Sequence, residues 1–341
     1  MSVNRQILLR ARPEGRVEPE DFEHIEQPVP EPGPGDALIR TTWLSLDPTN
    51  RLWMREEPTY FPPVELGAVM RGIGIGQVVK SDNPDLPEGA TVAGMVGWQD
   101  YCLASEAMAP FTVIPDELPV DARHMLGVLG HTGQTAYFGL TDIGQPQPGE
   151  TVVISAAAGA VGTVTGQMVK ALGARAVGLA GTPEKCKMVV DELGFDACIC
   201  YRDEDWREQL AAACPDGIDV DWESVGGEVL DHIMGNMNLG GRIVICGLIS
   251  QYNATEDHGV KNFDEVIMKR LRIGGFVVLD HMADRGEEAV GALAGWMAEG
   301  KIKPMETITE GLETAPTALN RLYDGDNVGK LLIKVADPPL A

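Results

Sequence analysis

Thr151-Val152-Val153-Ile154-Ser155-Ala156-Ala157-Ala158-Gly159-Ala160-Val161-Gly162 is the stretch that decides the fold of this chain. An apolar, β-branched run ends in a chain of small residues, and a helical pattern follows from Val164 to Leu172. Against the Gly-x-Gly-x-x-Gly turn of parallel α/β sheets, Ala157 takes the first glycine's place while Gly159 and Gly162 stand where they should. Gly159 lets the backbone approach a pyrophosphate, and Gly162 lets helix and strand pack closely. The helix N-terminus supplies amide donors and a partial positive charge, with Ala158, Ala160 and Val161 completing the turn. In a protein with 40 glycines such a fragment alone is usually a turn. Strand, turn, helix and a second strand at Ala176-Val177-Gly178-Leu179-Ala180, in that order, make dinucleotide binding the reading.

Working outward, further strands are expected at 197–200, 218–222 and 242–246, with helical patterns in several gaps, which is the rhythm of a parallel sheet. Upstream of residue 150 the pattern differs. Short alternating segments such as 37–43 and 72–79 are separated by turn clusters like Pro30-Glu31-Pro32-Gly33-Pro34-Gly35, which predicts a β-rich domain. Lys330-Leu331-Leu332-Ile333-Lys334-Val335 reads as a closing strand, and Phe276-Val277-Val278-Leu279 as either an interface strand or core. The fold class is therefore α/β, a β-rich domain joined to a doubly wound parallel sheet.

A chain of 341 residues with 44% hydrophobic content is long enough for two cores. Its formal charge of −24 repels phosphate backbones and anionic lipid, so neither nucleic acid nor a membrane surface is an expected partner. The first residues lack the apolar stretch of a signal peptide, and no run approaches the roughly 20 apolar residues of a membrane span. A soluble, cytoplasmic protein is the expectation. The cysteines at 102, 186, 198, 200, 214 and 246 show no paired C-x-x-C spacing and read as reduced thiols, with Cys198 and Cys200 packing a buried strand.

An NAD site carries an acid at the tip of the second strand, paired with the ribose 2′-hydroxyl. Here the tip reads Ala180-Gly181-Thr182-Pro183-Glu184-Lys185. The hydroxyl of Thr182 and the point charge of Lys185 suit a 2′-phosphate, which favours NADPH. The same residues also read as a helix cap with a solvated lysine, and Glu184 as a partner for the ribose.

Nearly the whole chain resembles the zinc-independent medium-chain reductases: leukotriene B4 dehydrogenase (prostaglandin reductase), plant double-bond reductases and curcumin reductase. The resemblance is carried by Ser45-Leu46-Asp47-Pro48, Gly97-Trp98-Gln99-Asp100-Tyr101, the turn from Ala156 to Gly162, Val225-Gly226-Gly227, the run from Cys246 to Asn253, and Gly325-Asp326-Asn327-Val328-Gly329-Lys330. It implies a GroES-like catalytic domain over 1–125, a Rossmann domain over 126–300, a segment over 301–341 returning to the first, an active site in the cleft between domains, and a homodimer. It implies further that Lys185 and Tyr201 contact the 2′-phosphate region, that Tyr252 lies by the nicotinamide ribose, and that Cys246 and Asn327 line the cofactor site. Two departures stand out: Thr49-Asn50-Arg51 replaces the family's Tyr-Met-Arg, and His131-Thr132-Gly133 its Met-Pro-Gly. Both bear on pocket volume and polarity.

Zinc alcohol dehydrogenases need Cys and His ligands, but Arg71-Gly72-Ile73-Gly74-Ile75-Gly76 stands where they carry Gly-His-Glu, and no metal is expected. Without a Lewis acid, the suitable hydride acceptor delocalises its charge: the β-carbon of an enal or enone, with donors meeting the enolate oxygen. Tyr252 is the candidate donor and proton relay, though the residues alone read it equally as packing in a turn. His131 is an alternative acid, or a local hydrogen-bonding residue. Arg51 reads either as a contact for a substrate carboxylate or as the partner of an acid. Trp53, Tyr60 and Trp98 form either an aromatic wall for a flat substrate or core. The expected activity is NADPH-dependent double-bond reduction; the alternatives are an NADPH quinone oxidoreductase and a non-catalytic NADPH-binding protein.

Overall fold

The structure is a computed structural model that describes residues 3–107, 109–115, 120–256 and 258–338. Met1 and Ser2, on which the signal-peptide reading partly rests, lie outside the described residues. The chain divides into two compact units, one built from the residues up to Leu126 and from Thr307 onward, the other from Gly127 to Glu306.

The first unit opens with a hairpin, β1 (Val3–Leu9) against β2 (Phe22–Pro28). Then come β3 (Ala37–Leu46), the short helix α1 (Thr49–Trp53), β4 (Gly74–Ser81), β5 (Thr91–Gly94), β6 (Tyr101–Leu103) and β7 (Thr112–Val113). Strand β3 is almost wholly buried, pairing antiparallel with both β4 and β6. Ile39, Leu44, Leu46, Val78, Val92 and Trp98 fill the core around it.

Six strands make the second unit's sheet: β8 (Thr151–Ile154), β9 (Arg175–Ala180), β10 (Ala197–Cys200), β11 (Ile218–Glu223), β12 (Met237–Ile245) and β13 (Arg272–Gly275). Their order is β10-β9-β8-β11-β12-β13 and their pairings are parallel. The chain winds outward from β8 through β9 and β10, then returns to the other side of β8 with β11. The carboxyl ends of β8 and β11 therefore flank the point where strand order reverses, the place where such sheets bind ligands. Helices α2 (His131–Phe138), α3 (Ala160–Ala171), α4 (Pro183–Leu193), α5 (Trp206–Ala213), α6 (Gly227–Asn236), α7 (Glu265–Met268) and α8 (Leu279–Ala298) belong to this unit. The β8 residues are all buried, as expected of a central parallel strand covered on both faces.

Back in the first unit, β14 (Glu306–Glu310) and β15 (Lys330–Lys334) extend the antiparallel sheet, with β15 seated directly against β3. The pairing Leu331↔Leu46 brings two separated sequence motifs together. Buried Lys330 donates to Asp47 Oδ1 and, at 3.3 Å, to Leu46 O, while Ser45 Oγ donates to Asp47 Oδ2 at 2.5 Å.

Of the two readings of Phe276–Leu279, interface strand or core, the structure excludes the first. Phe276–Leu279 is not a strand: Arg272–Gly275 forms the sheet edge, and Leu279 already starts α8. Phe276 packs edge-on against Trp222, with ring centroids 6.4 Å apart. The real edge strand offers Ile273 as its one large apolar residue, and that side chain is 41% exposed, so it carries no hydrophobic run to find.

Candidate active site

The small residues after β8 form a tight turn into α3. Ala156 adopts a left-handed φ of 48°, Ala157 N–H bonds Leu179 O at 2.9 Å, and Gly159 N–H bonds Ala156 O at 2.8 Å. Gly159 is the extended N-cap of α3, so the amides of Ala160, Val161 and Gly162 belong to the first turn, where the helix itself offers no acceptors. A Cβ on Gly162 would lie 2.3 Å from Ala156 O, which no other residue tolerates. On Gly159 it would lie 3.1 Å from the same oxygen, so a larger side chain would intrude where a ligand backbone must approach. Buried Ala158 completes the turn's floor. These observations fit a pyrophosphate on the helix N-terminus.

Beneath this turn the ends of β8 and β11 are joined by a buried carboxyl. Ser155 Oγ donates to Glu223 Oε1 at 2.7 Å, and the same oxygen accepts from Val225 N at 2.5 Å and Gly226 N at 3.0 Å. On the same face, two residues back, Asp221 is fully buried with no hydrogen-bond partner for either carboxyl oxygen among the described residues. Burial first, and the neighbouring Glu223 second, push its pKa well up, which favours the neutral acid. Sequence reading missed both; acids alternating with Val220 and Trp222 inside an apolar strand were the available signal.

At the tip of β9, Thr182 caps α4: its hydroxyl accepts from Lys185 N at 3.3 Å, and Pro183 takes the first helical position. The cap does not exclude a ligand contact, because a hydroxyl accepting one bond still has its own proton to donate. Lys185 is half-buried on the first turn of α4. Tyr201 follows β10, its hydroxyl 3.2 Å from where a Gly181 Cβ would stand, and the Arg202 guanidinium lies 5.9 Å from its ring centroid. Thr182, Lys185 and Tyr201 thus gather around Gly181, with Arg202 as a member not singled out from sequence.

The loop after β12 folds back on its own strand. Leu248 N–H donates to Tyr252 Oη at 3.2 Å, and that oxygen stands 3.1 Å from the Cβ position of Gly247. Ile249 N and Ser250 N bond Ser224 O and Val225 O at 3.0 Å each, which locks this loop to the turn after β11. Farther along, Gln251 Oε1 accepts from His258 N at 3.1 Å, and His258 Nε2 lies 2.9 Å from Asp231 Oδ2 on α6. Tyr252 is therefore held at the carboxyl end of the sheet, on the side where the glycine turn also lies. Cys246, directly after β12, has its thiol pushed up to about 12 by burial, so it is no nucleophile.

His131 opens α2 and is half-buried, and its carbonyl accepts from Thr135 Oγ1 at 2.7 Å. In the first unit, Asn327 is buried and donates from Nδ2 to Gly329 O at 2.9 Å in the turn before β15. Tyr60 is 46% exposed and its hydroxyl is hydrogen-bonded to that of Thr49. Three residues considered for the pocket are placed elsewhere. Arg51 is buried, and its guanidinium donates to Pro13 O at 2.8 Å and Gly15 O at 3.3 Å, so it meets backbone carbonyls and not a carboxylate. Trp98 is fully buried and stacks on Phe22 at 5.4 Å, and Trp53 is buried as well; both indoles pack the core and form no wall. Among the described residues no group of three or more His, Cys, Asp or Glu is placed to hold a metal ion.

A doubly wound parallel sheet with a glycine turn at its reversal point, joined to an antiparallel β unit, defines a dinucleotide-dependent oxidoreductase. Residues 5–112 match the family model described as the N-terminal domain of oxidoreductase, and residues 160–294 the one described as zinc-binding dehydrogenase. NADPH-dependent curcumin reductase of Escherichia coli K12 is 44% identical over 338 residues, covering 98% of this chain and 97% of that one. The NADP(+)-dependent 2-alkenal reductase of Nicotiana tabacum is 38% identical over 98% of both chains, and prostaglandin reductase 1 of Mus musculus 37% identical over 92% and 94%. The solved structure of CurA from Vibrio vulnificus in complex with NADPH superposes with a TM-score of 0.93 at 40% identity, covering 98% of this chain and 100% of that one. The chain belongs to this NADPH-dependent medium-chain dehydrogenase/reductase family. Among the described residues no helix is long and apolar enough to cross a membrane.

Proposed function

We propose that this protein binds NADPH and reduces the carbon-carbon double bond of α,β-unsaturated aldehydes or ketones, adding hydride at the β-carbon and a proton at the α-carbon. The turn from Ala158 to Gly162 holds the pyrophosphate, Thr182, Lys185 and Tyr201 with Arg202 hold the 2′-phosphate, and Cys246 contacts the cofactor. When bound, NADPH supplies the hydride. The chain's own part is to orient the acceptor and meet the charge that develops on its carbonyl oxygen.

The observation that carries this reading is the setting of Tyr252. Its oxygen accepts the Leu248 amide proton at 3.2 Å, and a hydroxyl polarised in this way is a better donor of its own proton. Tyr252 donates to the carbonyl oxygen as it gains charge and relays the proton that completes reduction. Relatives named for curcumin, 2-alkenal and prostaglandin reduction support a conjugated carbonyl as the acceptor. Tyr252→Phe keeps the ring and removes the donor. We expect kcat to fall about 100-fold with NADPH affinity little changed, the size of a lost acid-base contribution. An unchanged kcat would return Tyr252 to a packing role.

The second unit's sheet ends in the exposed strand β13, and beside it in sequence Phe263, Ile267 and Met268 are 61, 75 and 62% exposed. An edge with no strand partner among the described residues, flanked by apolar side chains, calls for a partner, and a second copy of the chain is the proposed one. Light scattering on Ile267→Asp should report a monomer where the parent is a dimer; a monomeric parent would refute the pairing.

A further inference from the structure

We propose that Glu223 is a positioning residue: its buried carboxyl sets the turn after β11 from which the Tyr252 loop hangs, and ties that turn to the strand leading into the glycine turn. The effect on turnover rests on Tyr252 as the proton donor; the positioning itself does not.

The backbone ladder between β8 and β11 closes at Trp222, whose carbonyl accepts from Ser155 N at 3.0 Å. Past that point side chains make the link. Ser155 Oγ donates to Glu223 Oε1 at 2.7 Å and accepts from Ser224 N at 2.7 Å. The same carboxyl oxygen accepts from Val225 N and from Gly226 N, the N-cap residue of α6. A single buried atom thus gathers one hydroxyl and two amides.

Backbone carries the effect onward. Ser224 O and Val225 O accept from Ile249 N and Ser250 N at 3.0 Å each, and Val225 O also accepts from Ser250 Oγ at 2.6 Å. The Glu223 carbonyl itself accepts from Cys246 N at 2.8 Å. Tyr252 stands two residues past Ser250, its oxygen bonded by Leu248 N. On the other side, Ser155 directly precedes Ala156, where the left-handed turn toward Gly159 and Gly162 begins. A shift of the Glu223 carboxyl is therefore passed to the Tyr252 loop through two consecutive carbonyls.

The energetics point to more than packing. Burying a carboxyl is unfavourable, and Glu223 Oε2 has no hydrogen-bond partner among the described residues to offset it. Apolar side chains would close the two strand ends more favourably, but they could not orient two amides and a hydroxyl at once. The carboxyl stands where strand order reverses, the end of the sheet that serves the ligand.

The test compares Glu223→Leu, Glu223→Gln and Ser155→Ala in the full-length protein. Amide hydrogen exchange reads the positioning: Glu223→Leu should speed exchange at Ile249 and Ser250 about tenfold, and Glu223→Gln, which keeps an acceptor oxygen, should restore most of the protection. Turnover of an enal with NADPH reads the consequence. In Glu223→Leu we expect kcat to fall about tenfold with NADPH affinity within about twofold of the parent, the pattern of misalignment and not of lost binding. Added to Tyr252→Phe, the same substitution should lower kcat little further, because no donor is left to align. Unchanged exchange, a kcat loss that only follows loss of folded protein on thermal unfolding, or a loss of equal size in both backgrounds overturns the proposal. If Glu223→Leu does not fold, Ser155→Ala, which removes only the hydroxyl link, gives the same two readings. If Tyr252→Phe leaves kcat unchanged, the donor assignment falls, while exchange at Ile249 and Ser250 still decides the positioning.

Discussion

Asp221 has no hydrogen-bond partner among the described residues and shares a strand face with Glu223, so burial favours the neutral form of its carboxyl. Its pKa lies above the ordinary 3.8, so above that value the unfolded chain loses a proton that the folded protein keeps. The stability contributed by the neutral form is complete below the unfolded pKa and declines as pH rises toward the folded one. Asp221→Asn removes the ionisation while keeping the shape. Thermal unfolding between about pH 5 and pH 8 should show a flatter decline for the variant, with a higher melting temperature at the alkaline end; parallel pH profiles would mean that Asp221 is ionised in the fold. Legibility at this scale was uneven. Gly159, Gly162 and Thr182 could be read because a close approach or a cap restricts residue type, whereas Arg51 and Trp98 could not, because guanidinium and indole serve a core as readily as a pocket.

Strand β15 owes its place beside β3 to a pair that neither segment reveals alone. Lys330 and Asp47 are both buried and bonded to each other, with Ser45 and Leu46 O completing the cluster. Removing one partner of a buried pair strands the other charge, so Asp47→Ala should destabilise the protein by about 3–5 kcal/mol. Chemical denaturation measures it, and a loss near zero would show that Lys330 finds water instead. The sequence carried both motifs as marks of resemblance, but their separation by 283 positions hid the contact. The parallel strands were legible because burial on both faces leaves continuous apolar runs, while β13, an exposed edge with two glycines, left none.

At the scale of the whole molecule, the antiparallel unit and the parallel sheet follow from the change of rhythm near residue 150, from Pro- and Gly-punctuated alternation to strands separated by helices. The glycine turn, the Gly181 cluster and the Tyr252 loop all hang from carboxyl ends of the parallel strands, the end where such sheets bind ligands. What the architecture does not dictate is the acceptor. The most direct test is NADPH consumption with an enal, an enone, a quinone and a saturated aldehyde, repeated with NADH and with a chelator. The account expects chelator-insensitive turnover of the enal or enone, faster with NADPH than with NADH. Turnover of the quinone alone, or tight NADPH binding with no acceptor consumed, would contradict it.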